Sequence, residues 1–141
     1  MKRYLIIFVL ILFTSNSFAQ KDGDSIIILH LKDTSNIFNR AKWSMVHLDF
    51  IVKDLPMRDT LKTYPREFLN NNYMIVTAII KDSTIRFSGI WGSRKMNLFG
   101  FAGNSNDFKS IIYYKGSVEW KIMKRIAEDI GGVLEFKEIK N

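Results

Sequence analysis

Strand-like alternation over most of the chain, one amphipathic helical stretch near its end and a further strand behind that helix predict an α+β domain. The expected architecture is a curved antiparallel β-sheet of about six to seven strands, packed against one C-terminal helix and closed by a last strand. The elements follow in chain order.

Ser25 to Lys32 (SIIILHLK) is a β-branched run between Gly23-Asp24 and Asp33-Thr34-Ser35, and reads as a strand. Asn36 to Lys42 is ambiguous and admits a helical turn. Ser44 to Lys53 (SMVHLDFIVK) gives the clearest alternation. Val46, Leu48, Phe50 and Val52 fall on one face, and Met45, His47, Asp49 and Ile51 on the other. This predicts a strand ended by Asp54-Leu55-Pro56, because proline cannot donate to a ladder. Over Thr60 to Asn72, Pro65 suits the first turn of a short helix that Asn70-Asn71-Asn72 would close.

Tyr73 to Lys81 (YMIVTAIIK) is a strongly apolar strand. Thr84 to Trp91 (TIRFSGIW) alternates again across an Asp82-Ser83 turn, so the two predict a hairpin. Met96 to Ala102 and Phe108 to Tyr114 would form a second hairpin about Gly103 to Asp107, which is dense in turn residues. The period then changes. Ile122, Met123, Ile126, Ala127 and Ile130 recur at helical spacing among charged residues. Ser117 is placed to cap this helix, Glu119 suits its positive end, and Gly131-Gly132 stops it. Val133 to Ile139 returns to strand, and the two glycines let it pack close to the helix end.

Ahead of all this lies a segment of another kind. Met1-Lys2-Arg3-Tyr4 is basic, Leu5 to Phe13 is unbroken apolar, and Thr14 to Ala19 turns polar and ends in Ser17-Phe18-Ala19. This is the layout of a secretory signal peptide with cleavage after Ala19. Nine apolar residues fall short of the roughly 20 that span a bilayer. The expected organisation is a cleaved peptide, 1–19, and a single α+β domain, 20–141, outside the cytoplasm. Absence of cysteine excludes a lipid-anchored product and disulfide staples, and favours a bacterial periplasmic or secreted setting. No stable membrane anchor is expected after cleavage.

The net charge of +7 falls to +5 when Lys2 and Arg3 leave with the peptide, which carries no acid. That is below a dedicated nucleic-acid binder, and export argues against nucleic acid as a partner. Only two histidines, His30 and His47, occur, so a nitrogen–sulfur zinc site is not expected, nor any other metal or cofactor. His47 and Asp49, on one face of the expected strand about 7 Å apart by the strand rise, are the one pair that could ligate a metal or form part of a proton relay. No third group stands at a recognisable spacing, and Ser44, Ser88, Ser93 and Ser110 lack a nucleophile elbow. Asp49, Glu67 and Glu119 read as surface charges. No catalytic residue is assigned.

The best interaction candidate is the stretch from Trp91 to Phe101. Trp91, Phe99 and Phe101 interleave there with Arg94, Lys95 and Asn97, a composition that protein-binding hot spots favour. Tyr113, Tyr114 and Trp120 would either extend that surface or fill the core. The expectation is therefore an exported non-enzymatic binding protein, of inhibitor or immunity type or an accessory envelope subunit, acting through a protein partner. The alternative is a periplasmic carrier of lipid or glycan with a cavity lined by Phe50, Phe87, Phe99, Phe108 and Ile122. A hydrolase of an envelope polymer using His47 and Asp49 ranks last.

Overall fold

A computed structural model describes residues 19–93 and 108–139. The signal segment up to Phe18 and the expected strand Met96 to Ala102 lie outside the described residues. Among the described residues, seven antiparallel strands form one open sheet, with two helices. The strands are β1 (Ile26–His30), β2 (Thr60–Lys62), β3 (Arg66–Leu69), β4 (Asn72–Lys81), β5 (Thr84–Ser93), β6 (Lys109–Ser110) and β7 (Val133–Lys137). The helices are α1 (Ile37–His47) and α2 (Val118–Ile130). The sheet order is β2-β4-β5-β1-β7, with β3 also on β4 and β6 also on β5.

The expected hairpin of β4 and β5 is the spine, in register from Asn72↔Ser93 to Lys81↔Thr84. Its inward positions Met74, Val76, Ala78, Ile85 and Phe87 are fully buried. β1 adds Ile27 and Leu29, α1 adds Ala41 and Met45, and α2 adds Trp120, Met123, Ile126 and Ala127. Burying each larger side chain contributes roughly 1.5–3 kcal/mol. α2 lies on β5 and β1, and α1 packs beside it and reaches β4. Both helices therefore cover one face of the sheet. No helix among the described residues is long and apolar enough to cross a membrane.

The ends of α2 are as expected. The Ser117 hydroxyl accepts from the Trp120 amide at 3.2 Å, and Gly131 ends the helix at a φ of 79°. A Cβ on Gly132 would stand 2.6 Å from the His30 carbonyl oxygen, so the turn into β7 needs that glycine. Trp120 is buried, with Tyr113 and Phe136 ring centroids 5.7 and 6.0 Å away. It fills the core and does not extend a surface.

Two expectations are corrected. Ser44 to Lys53 is not one strand, because Ser44 to His47 is the last turn of α1. The helical stripe of Ile37, Ala41, Ser44, Met45 and Leu48 packs inward, whereas Val46 and His47 are exposed. A stripe long enough to cover another helix prevails over a short alternation. Asp49 then takes a φ of 61°, its amide donates to the Val46 carbonyl, and the Phe50 amide donates to the Met45 carbonyl. These are the two bonds of a Schellman ending with Asp where glycine is usual. The alternation survives only beyond it, where Phe50 is buried and Val52 bridges Thr63.

Nor do Thr60 to Asn72 form a helix. They are β2, a break at Pro65, and β3. Leu61 and Thr63 point inward and are buried. The Thr63 amide donates to the Val76 carbonyl, and the Thr63 hydroxyl accepts from the Val76 amide, both at 3.0 Å. Asn70 and Asn71, with φ of 28° and 66°, make the two-residue hairpin turn between β3 and β4.

Candidate functional site

The period of two gives β4 and β5 a second face, which no described helix covers. β4 presents Ile75, Thr77 and Ile79 there, and β5 presents Arg86, Ser88 and Ile90. Cross-strand register extends these into rows. One runs Thr60, Ile79, Arg86, Ile28 and Glu135; the next joins Lys62, Thr77 and Ser88; a third joins Ile75, Ile90 and Ser110. Ile79 and Ile90 are 40% and 36% exposed. Ile75 and Ile90 stand opposite each other, and the polar row of Lys62, Thr77 and Ser88 separates them from Ile79.

A groove of about 220 Å³ follows the middle of this face between Lys62 and Ile139, floored by Thr77, Ser88 and Gly89 and walled by Ile75, Ile90, Ser25 and Ser110. A second depression of about 180 Å³ shares Ser25, Ser110 and Ile139 with it. One wall is fixed by hydrogen bonds. The Ser25 amide donates to the Lys137 carbonyl at 2.9 Å, and the Ser25 hydroxyl accepts from the Ile139 amide at 3.0 Å. The hydroxyls of Thr77, Ser88 and Ser110 have no partner among the described residues.

On the core side of the same strand, a Cβ on Gly89 would meet the Ile111 Cδ1 at 2.5 Å. Glycine there lets fully buried Ile111 close over β5, and its amide donates to the Gly89 carbonyl at 2.8 Å.

The electrostatics of the face are one-sided. Glu135, at its β7 edge, shares a 2.8 Å hydrogen bond with His30 Nε2 and lies 3.0 Å from Lys137 Nζ. The bond from His30, then that from Lys137, holds the Glu135 carboxyl below its ordinary value. The acid is thus already matched. Lys62, Lys81 and Arg86 have no ion pair among the described residues.

The residues singled out in the sequence are distributed otherwise. Trp91 is half-buried on the core side of β5, edge-on to Phe68 with ring centroids 6.5 Å apart. Arg94, Lys95, Asn97, Phe99 and Phe101 lie outside the described residues. His47 and Asp49 do not share a strand face. His47 Nδ1 lies 3.9 Å from Asp129 Oδ2 on α2, and Asp49 Oδ2 lies 3.7 Å from Arg66 Nη2 on β3. Ser44 is buried and donates to the Ile126 carbonyl at 2.7 Å, tying α1 to α2. Ser93 donates to Asn72 Oδ1, and Glu67 accepts from the Asn71 amide. Glu119 is not a surface charge but is buried in the first turn of α2. Phe50 and Phe87 are packed within the core and line neither groove. No group of three or more His, Asp or Glu among the described residues is arranged to hold a metal ion.

Comparisons with family models, with curated proteins and with solved structures find no match to this chain. Sequence reasoning passed over Lys62, Ile75, Thr77, Ser88 and Ile90. The available signal was YMIVTAII, which is apolar at both parities, more than a sheet covered on one side requires.

Proposed function

We infer that the mature chain is an exported, non-enzymatic binding domain, periplasmic or secreted, that takes an acidic protein partner on the open face of its sheet. The observation that carries this reading is the juxtaposition of exposed Ile79 and Ile90 with Lys62, Arg86 and Lys81, beside an edge whose acid is already paired. Apolar contact supplies affinity, and the unpaired cations supply orientation and choice of partner. Export is supported by the three-part layout of Met1 to Ala19. It is also supported by the bonding of residues 21–25 into the fold, which leaves exposed Ala19 just outside it. His47 and Asp49, the pair named for the hydrolase reading, face different partners, and the Ser44 hydroxyl is engaged with the Ile126 carbonyl. The stretch Trp91 to Phe101 is carried as a second candidate surface on sequence alone.

The test is site-specific photocrosslinking in the exporting cell. Benzoylphenylalanine at Ile90 or Thr77 gives a discrete protein adduct, the same residue at Lys42 on the exposed side of α1 gives none, and Lys62→Glu with Arg86→Glu abolishes it. No adduct, or an equal one from Lys42, overturns the reading. A second reading, an anionic amphipathic ligand in the groove, is favoured by the free hydroxyls beside Lys62. The groove's 220 Å³ lies below the roughly 300–1,000 Å³ of most small-molecule sites. Native mass spectrometry of the purified protein distinguishes it.

A further inference from the structure

We propose that Gln20 is a modification site: once the signal segment is removed after Ala19, it closes to pyroglutamate and leaves the mature chain with a neutral, blocked N-terminus. This rests on the export reading above. Cleavage after Ala19 frees the α-amine of a glutamine, the residue whose side-chain amide its own α-nitrogen can reach in a five-membered ring. The α-nitrogen attacks Cδ, the N–Cδ bond forms and the Cδ–Nε2 bond breaks. Nε2 leaves as ammonia, carrying the proton that the α-nitrogen gives up. No oxidant, reductant or further reactant enters.

The structure supplies an independent reason for that outcome at this residue. Nε2 of Gln20 is shielded from solvent and has no hydrogen-bond partner among the described residues. An amide donor in that condition is costly, because it gave up water without replacement. Cyclisation expels that very atom. The chain is tied down immediately afterwards. The Lys21 amide donates to Asp24 Oδ2 at 2.7 Å, and the Asp24 amide donates to the Lys21 carbonyl at 3.1 Å. Gly23 and Asp24 exchange hydrogen bonds with Tyr113, Gly23 N donating at 3.1 Å and Tyr113 N at 2.7 Å. Gln20 is half-buried against this anchored turn, whereas Ala19 is exposed. A terminal ammonium at Gln20 would bring an unmatched charge to a partly desolvated position. The lactam brings none, and it denies aminopeptidases outside the cell their required free amine.

The experiment is intact-mass measurement on the full chain expressed with its own signal segment and recovered after export. The expected mass is that of Gln20 to Asn141 less one ammonia. Stepwise N-terminal degradation is blocked until pyroglutamyl aminopeptidase is added. Gln20→Ala, exported in parallel, keeps the full mass of its sequence and is open to degradation. An unmodified Gln20 to Asn141 mass that persists on incubation at neutral pH overturns the modification and leaves the export reading standing. A mass that retains residues 1–19 overturns both. Ammonia loss that persists in Gln20→Ala places the change elsewhere and also overturns the proposal.

Discussion

The two faces of the β4–β5 hairpin are built from the same ten-residue strands, and isoleucine stands on both, yet they have different fates. Met74, Val76, Ala78, Ile85 and Phe87 lose all contact with water beneath two helices, whereas Ile79 and Ile90 remain more than a third exposed. Isoleucine on the covered face contributes to stability. Isoleucine on the open face contributes little until something lies on it. For isoleucine, residue type does not separate the two roles; the element packed above each face does.

Truncating one residue on each face separates the two roles most directly. Phe87→Ala is expected to cost about 3–5 kcal/mol in chemical denaturation, the usual cost of a buried aromatic with its cavity. Ile90→Thr keeps a β-branched side chain and is expected to stay within about 0.5 kcal/mol, while removing the crosslinked adduct. Equal losses of stability at the two sites would mean that the open face is structural.

Gly89→Ala sharpens the contrast within one strand. Its Cβ points to the covered side, against the Ile111 Cδ1. The Ile111 methyl must move, and the Ile75 carbonyl oxygen 3.0 Å away limits how far the backbone can yield. A loss of about 1–3 kcal/mol is expected from overpacking, against nearly none for Ser88→Ala beside it on the open face. Urea midpoints of the two variants decide the matter.

What the sequence disclosed divides along physical lines. The β4–β5 hairpin, α2 with its Ser117 cap, and the closing strand were legible because their periodicity and end signals agree. α1 was not, because its stop carries no glycine; Asp49 in the left-handed region does the work, and without that signal Ser44 to Lys53 reads as alternation. Thr60 to Asn72 misled because Pro65 suits a helix start as well as a strand break. The two-residue turn at Asn70-Asn71 was present but read as a helix end. The open face was obscured for a different reason: periodicity assigns a residue to one side of a sheet and says nothing of whether anything covers that side. Asp49→Gly and Asp49→Ala test the α1 ending. The glycine variant should match or exceed the parent in thermal stability and stand about 1 kcal/mol above the alanine variant, the cost of a Cβ in the left-handed region, which Asp partly offsets by local hydrogen bonding.

The smallest effect is expected at the edge of the open face. His30 and Lys137 hold the Glu135 carboxyl below the ordinary 4.5. A carboxyl depressed in the folded state stabilises the fold above the unfolded-state value and loses that contribution as the pH falls through the folded one. Glu135→Gln should therefore be less stable than the parent near neutrality, with the gap closing as the pH drops below about 4.5 and the parent carboxyl is protonated. The pair with His30 is partly exposed, so the gap should remain below about 1 kcal/mol, as for surface ion pairs. Thermal midpoints of both proteins across that range measure it. A gap as large as that of Phe87→Ala, or one that widens in acid, would make the edge cluster part of the structural face. A small gap that closes leaves its charge pattern free to serve what binds there.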